Sequence, residues 1–151
     1  MSVLRLDNVA VVVDDLDAAI AFFEDLGLEL EGRATVEGPW VDGVVGLDGV
    51  RSHIAMMAVP GGPGRVELTR YEAPAAVPAP APAPNALGMT RMMFTVTDID
   101  ATVARLEKHG ASVLRDIVDY GDAYRLCYLR GPAGIIVALA QPLGPELNEG
   151  G

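Results

Sequence analysis

The chain has 151 residues and a mass of 15.8 kDa, which predicts one domain or two small modules that share a core. Half of the residues are hydrophobic, which excludes wholesale disorder, and a net charge of −10 argues against a nucleic-acid or anionic-membrane surface, where clustered positive charge is needed. A single cysteine, Cys127, excludes an internal disulfide and a cysteine-rich metal site, and together with the absence of an apolar run long enough to cross a bilayer or of a leader-like start it predicts a cytoplasmic protein.

Residues 8–13 are apolar and β-branched, and they predict a strand. Asp15 is suited to cap a helix, because its carboxylate can accept orphan amide protons. Leu16, Ile20 and Phe23 then form one helical stripe, and Gly27 suits a left-handed stop. Strand-like runs follow at 28–35, 42–48, 52–59 and 65–71, with Trp40 in the loop-like Gly-Pro-Trp-Val-Asp-Gly. Residues 73–85 read APAAVPAPAPAPN and hold five of the eleven prolines; alternating Pro and Ala predicts an extended, semi-rigid spacer.

Beyond the spacer the pattern returns. Residues 91–110 align without gaps to residues 8–27, with seven of twenty positions identical, among them Asp15/Asp98, Asp17/Asp100 and Gly27/Gly110. Leu16, Ile20 and Phe23 become Ile99, Val103 and Leu106. Strand-like runs follow at 112–118, 123–129 and 134–140, the last preceded by the turn residues Gly131-Pro132-Ala133-Gly134. Each half thus reads strand–helix–three strands. The expected class is α+β: two βαβββ modules that pair mixed sheets. The boundaries are 1–72 for the first module, 73–87 for the linker, 88–141 for the second module and 142–151 for a frayed tail.

The duplicated strand-Asp-Leu/Ile-Asp-helix segment and the closing GPAGIIVAL at 131–139 resemble the vicinal oxygen chelate superfamily of glyoxalases, bleomycin resistance proteins and extradiol dioxygenases. That resemblance spans residues 4–141. It implies a cupped, barrel-like fold and, in metal-using members, His or Glu ligands on the first and last strand of each module. The matching positions are Asn8, Glu67, Arg91 and Ala138. Only Glu67 is an ordinary ligand; alanine has no donor, and arginine is a permanent cation without a free lone pair. A cation about 4 Å from a divalent metal is repelled by several kcal/mol even when well screened. His53 and His109 do not fall on ligand positions. The expectation is therefore no cofactor and no divalent metal.

Alternation puts Glu67 opposite Val66 and Leu68, on the face that the resemblance makes concave, where it is expected to pair with Arg91. Such a pair can be a structural tie, or it can present a guanidinium fork to a carboxylate, phosphate or enolate-like ligand. Asn8, Trp40, Met93 and Tyr124 complete the candidate ligand site, with Tyr120, Tyr124 and Tyr128 on one strand face. Cys127 reads as a buried, inert thiol with Arg125 on the opposite face. The resemblance supports two functions. One is a metal-independent binding protein that sequesters a small molecule in the cup or a homodimer cleft; a basic drug such as bleomycin would suit the acidic surface. The other is a glyoxalase-like lyase, isomerase or epimerase with Glu67 as base and Arg91 as electrophile, or a metal-dependent relative of it.

Overall fold

The computed structural model describes residues 2–144, and the chain divides into two compact units, one ending at Ala79 and the other starting at Pro80. In the first unit, β1 (Val9–Val12) leads into α1 (Leu16–Leu26), then β2 (Glu29–Glu37), α2 (Pro39–Val45), β3 (Arg51–Ala58) and β4 (Arg65–Ala73). The strands form one mixed sheet in the order β1-β4-β3-β2, with β1 parallel to β4 and the other pairs antiparallel.

Helix α1 forms as its sequence dictates. Asp15 accepts the Ala18 amide at 3.0 Å, and Gly27 closes the helix at φ 121° with its N–H directed to the Phe23 and Glu24 carbonyls. Leu16, Ile20 and Phe23 are buried, and so are Val66 and Leu68 of β4 and Ala55 and Met57 of β3, their partners in the β3–β4 register. Burying a side chain of Leu, Phe or Met size contributes about 1.5–3 kcal/mol, so this layer fixes which sheet face meets the helix.

One expected strand is a helix. Residues 42–48 were to be extended, but residues 39–45 form α2. Pro39 supplies a preset φ in the first turn, and Gly46 ends the helix in the left-handed conformation with its N–H on the Asp42 carbonyl. The Asp42 carboxylate accepts the Gly49 and Val50 amides at 3.0 and 2.8 Å. Trp40 therefore lies in the first turn of a helix, not in a loop.

The second unit repeats the plan. β5 (Arg91–Thr95) leads into α3 (Ile99–Glu107), followed by β6 (Ser112–Val113), β7 (Val118–Tyr120), β8 (Tyr124–Arg130) and β9 (Ile136–Pro142). β5 is parallel to β9, β8 is antiparallel to β9, and both β6 and β7 pair with β8. The single strand expected at 112–118 is thus two short pieces. Asp98 caps α3 as Asp15 caps α1, accepting the Ala101 amide at 3.0 Å, and Ile99, Val103 and Leu106 are buried. No helix among the described residues is long and apolar enough to cross a membrane.

The Pro/Ala segment has neither helix nor strand beyond Ala73. Its later part nevertheless makes specific contacts within the second unit. The Arg130 guanidinium donates to the Pro82 carbonyl at 2.5 Å and to the Gly134 carbonyl at 3.0 Å. The frayed tail was expected from Pro142, but Pro142 closes β9, and Leu143 donates to the Ala123 carbonyl at 2.9 Å. Residues 145–151 of that tail lie outside the described residues.

Candidate functional site

In the first unit, alternation along β4 turns Val66 and Leu68 toward α1 and Glu67 to the helix-free face. Ala10 and Met56 are its register partners on β1 and β3. The Glu67 carboxylate is half-buried and accepts the Thr69 hydroxyl at 2.9 Å. Thr69 is itself buried, and sequence reasoning missed it; the signal was a hydroxyl two residues farther along the same strand face. Asn8 immediately precedes β1. Its amide donates to the Asp7 carboxylate at 3.0 Å, which holds Asp7 below the usual carboxylate range, with Arg5 adding to the effect. Trp40 is 62% exposed.

In the second unit the helix-free face carries Arg91, Met93, Ala138, Tyr124 and Tyr128, the register setting Met93 beside Ala138 and Ala138 beside Tyr128. The Arg91 guanidinium carbon lies 5.1 Å from the centroid of the Tyr128 ring, a cation–π contact. Arg91 also donates to the Thr90 hydroxyl at 3.4 Å, and both Arg91 and Met93 are exposed. Tyr120 and Tyr124 were expected on one strand with Tyr128. Instead they face each other across the β7–β8 hairpin, whose turn contains Gly121 at φ 54°, and Tyr128 follows on the face of Tyr124. Glu67 belongs to the first unit and Arg91 to the second.

Cys127 is buried, and Arg125 lies on its side of β8, not on the opposite one, because alternation returns to the same face after two residues. Arg125 is held by Asp100 of α3, at 2.5 Å, and by Asp119 of β7, at 3.1 Å. Burial pushes the Cys127 thiol up to about 11, Arg125 opposing this and Asp100 reinforcing it. His53 lies on the α1 side of β3, bonded through Nδ1 to the Thr35 hydroxyl at 2.9 Å, and His109 follows α3. Of the positions that match the superfamily's metal ligands, Arg91 and Ala138 have no lone pair to give. Among the described residues no group of three or more His, Cys, Asp or Glu side chains is placed to hold a metal ion.

The glyoxalase/bleomycin resistance protein/dioxygenase superfamily model matches residues 5–139. The chain belongs to this superfamily. A glyoxalase family protein from Bacillus cereus is 51% identical, with a TM-score of 0.91 over 95% of this chain and 97% of that one. More distant structures share the fold. TnmS3, an antibiotic-binding protein from a Streptomyces species, is 21% identical with a TM-score of 0.60, over 94% of this chain and 98% of that one. A glyoxylase/bleomycin resistance protein/dioxygenase domain from a Frankia species is 16% identical with a TM-score of 0.65, over 93% and 99%. No protein with a curated description matches the chain.

Proposed function

We propose that this member of the glyoxalase/bleomycin resistance superfamily is a cytoplasmic, metal-independent binding protein that sequesters a small molecule on its helix-free sheet faces. The observation that carries this reading is the Arg91–Tyr128 stack: a position used for metal ligation in metal-dependent members holds a cation laid on an aromatic ring, beside Met93 and the methyl group of Ala138. Such a surface offers a planar donor fork and apolar, polarisable walls, which suit an aromatic ligand bearing a carboxylate, phosphate or enolate-like oxygen. TnmS3, which shares the fold, is an antibiotic-binding protein, and this supports small-molecule binding as the kind of function. Glu67, on the helix-free face of the first unit, would orient the ligand. The Thr69 hydroxyl already occupies a lone pair of Glu67, which favours this role over that of a catalytic base.

The expected assembly is a homodimer. β1 and β5 are edge strands of their sheets, and Val12 and Met93 on them are 48% and 52% exposed, the kind of edge and apolar surface that a twofold partner covers. Sedimentation as a 15.8 kDa monomer at micromolar concentration would contradict it.

The test is thermal unfolding of chelator-treated protein with salicylate, phenyl phosphate and metal-free bleomycin. A ligand at about 100 times its Kd adds about 2.7 kcal/mol, and Arg91→Met should abolish the gain. No gain from any of the three, or a gain only after adding zinc or nickel, overturns the reading.

A further inference from the structure

The first unit carries an open cavity of about 420 Å³ on the α1 side of its sheet, on the opposite face from Glu67. Its floor is His53 and Arg70, direct partners in the β3–β4 register; Arg33 of β2 and the turn Asp14–Asp17 wall it. An adjoining lobe of about 250 Å³ is lined by Leu16, Ala34 and Ile54 together with Arg33, Thr35 and His53.

Most of the charge here is already committed. The Asp15 carboxylate caps α1 on the Ala18 amide. Asp17 binds Arg33 at 2.9 Å. His53 has Thr35 on one ring nitrogen and Glu72 3.6 Å from the other, and Glu72 is paired with Arg51. Arg70 and Asp14 remain. Arg70 is half-buried, and its guanidinium, with five donors, has no hydrogen bond or ion pair among the described residues. Asp14 is exposed and also has no partner there. Val13 donates to the Thr69 carbonyl at 2.9 Å, which ties the turn bearing Asp14 to the strand bearing Arg70. The two opposite charges line one cavity and form no ion pair.

A simple anion would meet three carboxylates in this cavity, and a simple cation would meet Arg33 and Arg70. A molecule bearing both charges matches both groups, and Leu16, Ala34 and Ile54 give the adjoining lobe an apolar part of its wall. We propose that this cavity binds a zwitterion of the α-amino-acid type with an apolar side chain. Its carboxylate lies on the Arg70 fork, its ammonium on Asp14, and its side chain toward Leu16.

The experiment is an amide ¹H–¹⁵N titration of the full chain with L-leucine and its two half-molecules, 4-methylpentanoate, which lacks the ammonium, and isopentylamine, which lacks the carboxylate. Leucine should shift the amides of Asp14–Asp17, His53 and Arg70 saturably and bind about tenfold or more tighter than either half. Arg70→Gln and Asp14→Asn should each weaken leucine by a similar factor while amides elsewhere stay in place. The inference is overturned if leucine gives no saturable shift at these amides, if 4-methylpentanoate binds as tightly as leucine, or if Arg70→Gln binds like the wild type. The comparison of the three ligands needs no variant, so it decides the matter even if a substitution disturbs folding.

Discussion

Replacing Gly134 with alanine probes the contact between the Pro/Ala segment and the rest of its unit. Gly134 has φ +75°, and a β-carbon added there would lie 2.8 Å from the Ala81 β-carbon and 3.3 Å from its α-carbon. Carbon atoms pack best at about 3.5–4.0 Å, so backbone in the Pro/Ala segment must shift. Two costs add. The left-handed conformation costs an L-residue about 1–2 kcal/mol, and overpacking costs about 1–3 kcal/mol. Restricting the unfolded chain returns about 0.4–1 kcal/mol. The expected net loss is about 2–4 kcal/mol, enlarged if the Arg130 bonds to the Pro82 and Gly134 carbonyls are disturbed. Urea unfolding followed by circular dichroism measures it, with an unchanged m-value as the check that the two-state comparison holds. Ala81→Gly in the Gly134→Ala background removes the closest clash and should return about 1–2 kcal/mol, while the backbone cost stays. A Gly134→Ala protein within about 0.5 kcal/mol of wild type would show that Ala81 does not sit over Gly134, and the account of this segment would fail.

The Cys127 thiol supplies a pH test. In the unfolded chain it ionises near 9.0, but in the folded protein only near 11. Its contribution to stability is therefore complete below pH 9 and is lost as pH rises toward 11, about 2–3 kcal/mol in total; Cys127→Ala should flatten that part of the profile, and equal slopes for both proteins would refute the assignment. Asp15→Ala and Asp98→Ala should each cost about 1 kcal/mol in urea unfolding, because each removes the acceptor of an N-terminal amide of its helix. Elemental analysis of protein purified without chelator should find no stoichiometric transition metal; one zinc, nickel, manganese or iron per chain would overturn the metal-independent reading.

The sequence by itself determined the repeated unit. Local rules suffice there: an aspartate before an apolar stripe caps a helix, a glycine after it permits the left-handed stop, and alternation assigns strand faces. That is why Asp15 and Asp98, the buried stripes after them, and the placement of Glu67 opposite Val66 were legible without coordinates. The helix at Pro39–Val45 was also encoded locally, in Pro39 and Gly46, but its apolar valines suit a strand equally well; the Asp42 carboxylate, reaching the Gly49 and Val50 amides, joins in holding the helical form. Only the tertiary structure decided which side chains meet across strands. Arg91 lies on Tyr128 because β9 sets β5 and β8 on either side of it. The Arg70 cavity is of the same kind. Spacing along the chain carries no sign that Asp14 and Arg70 line one cavity, because the parallel β1–β4 pairing that brings them together joins residues more than fifty positions apart.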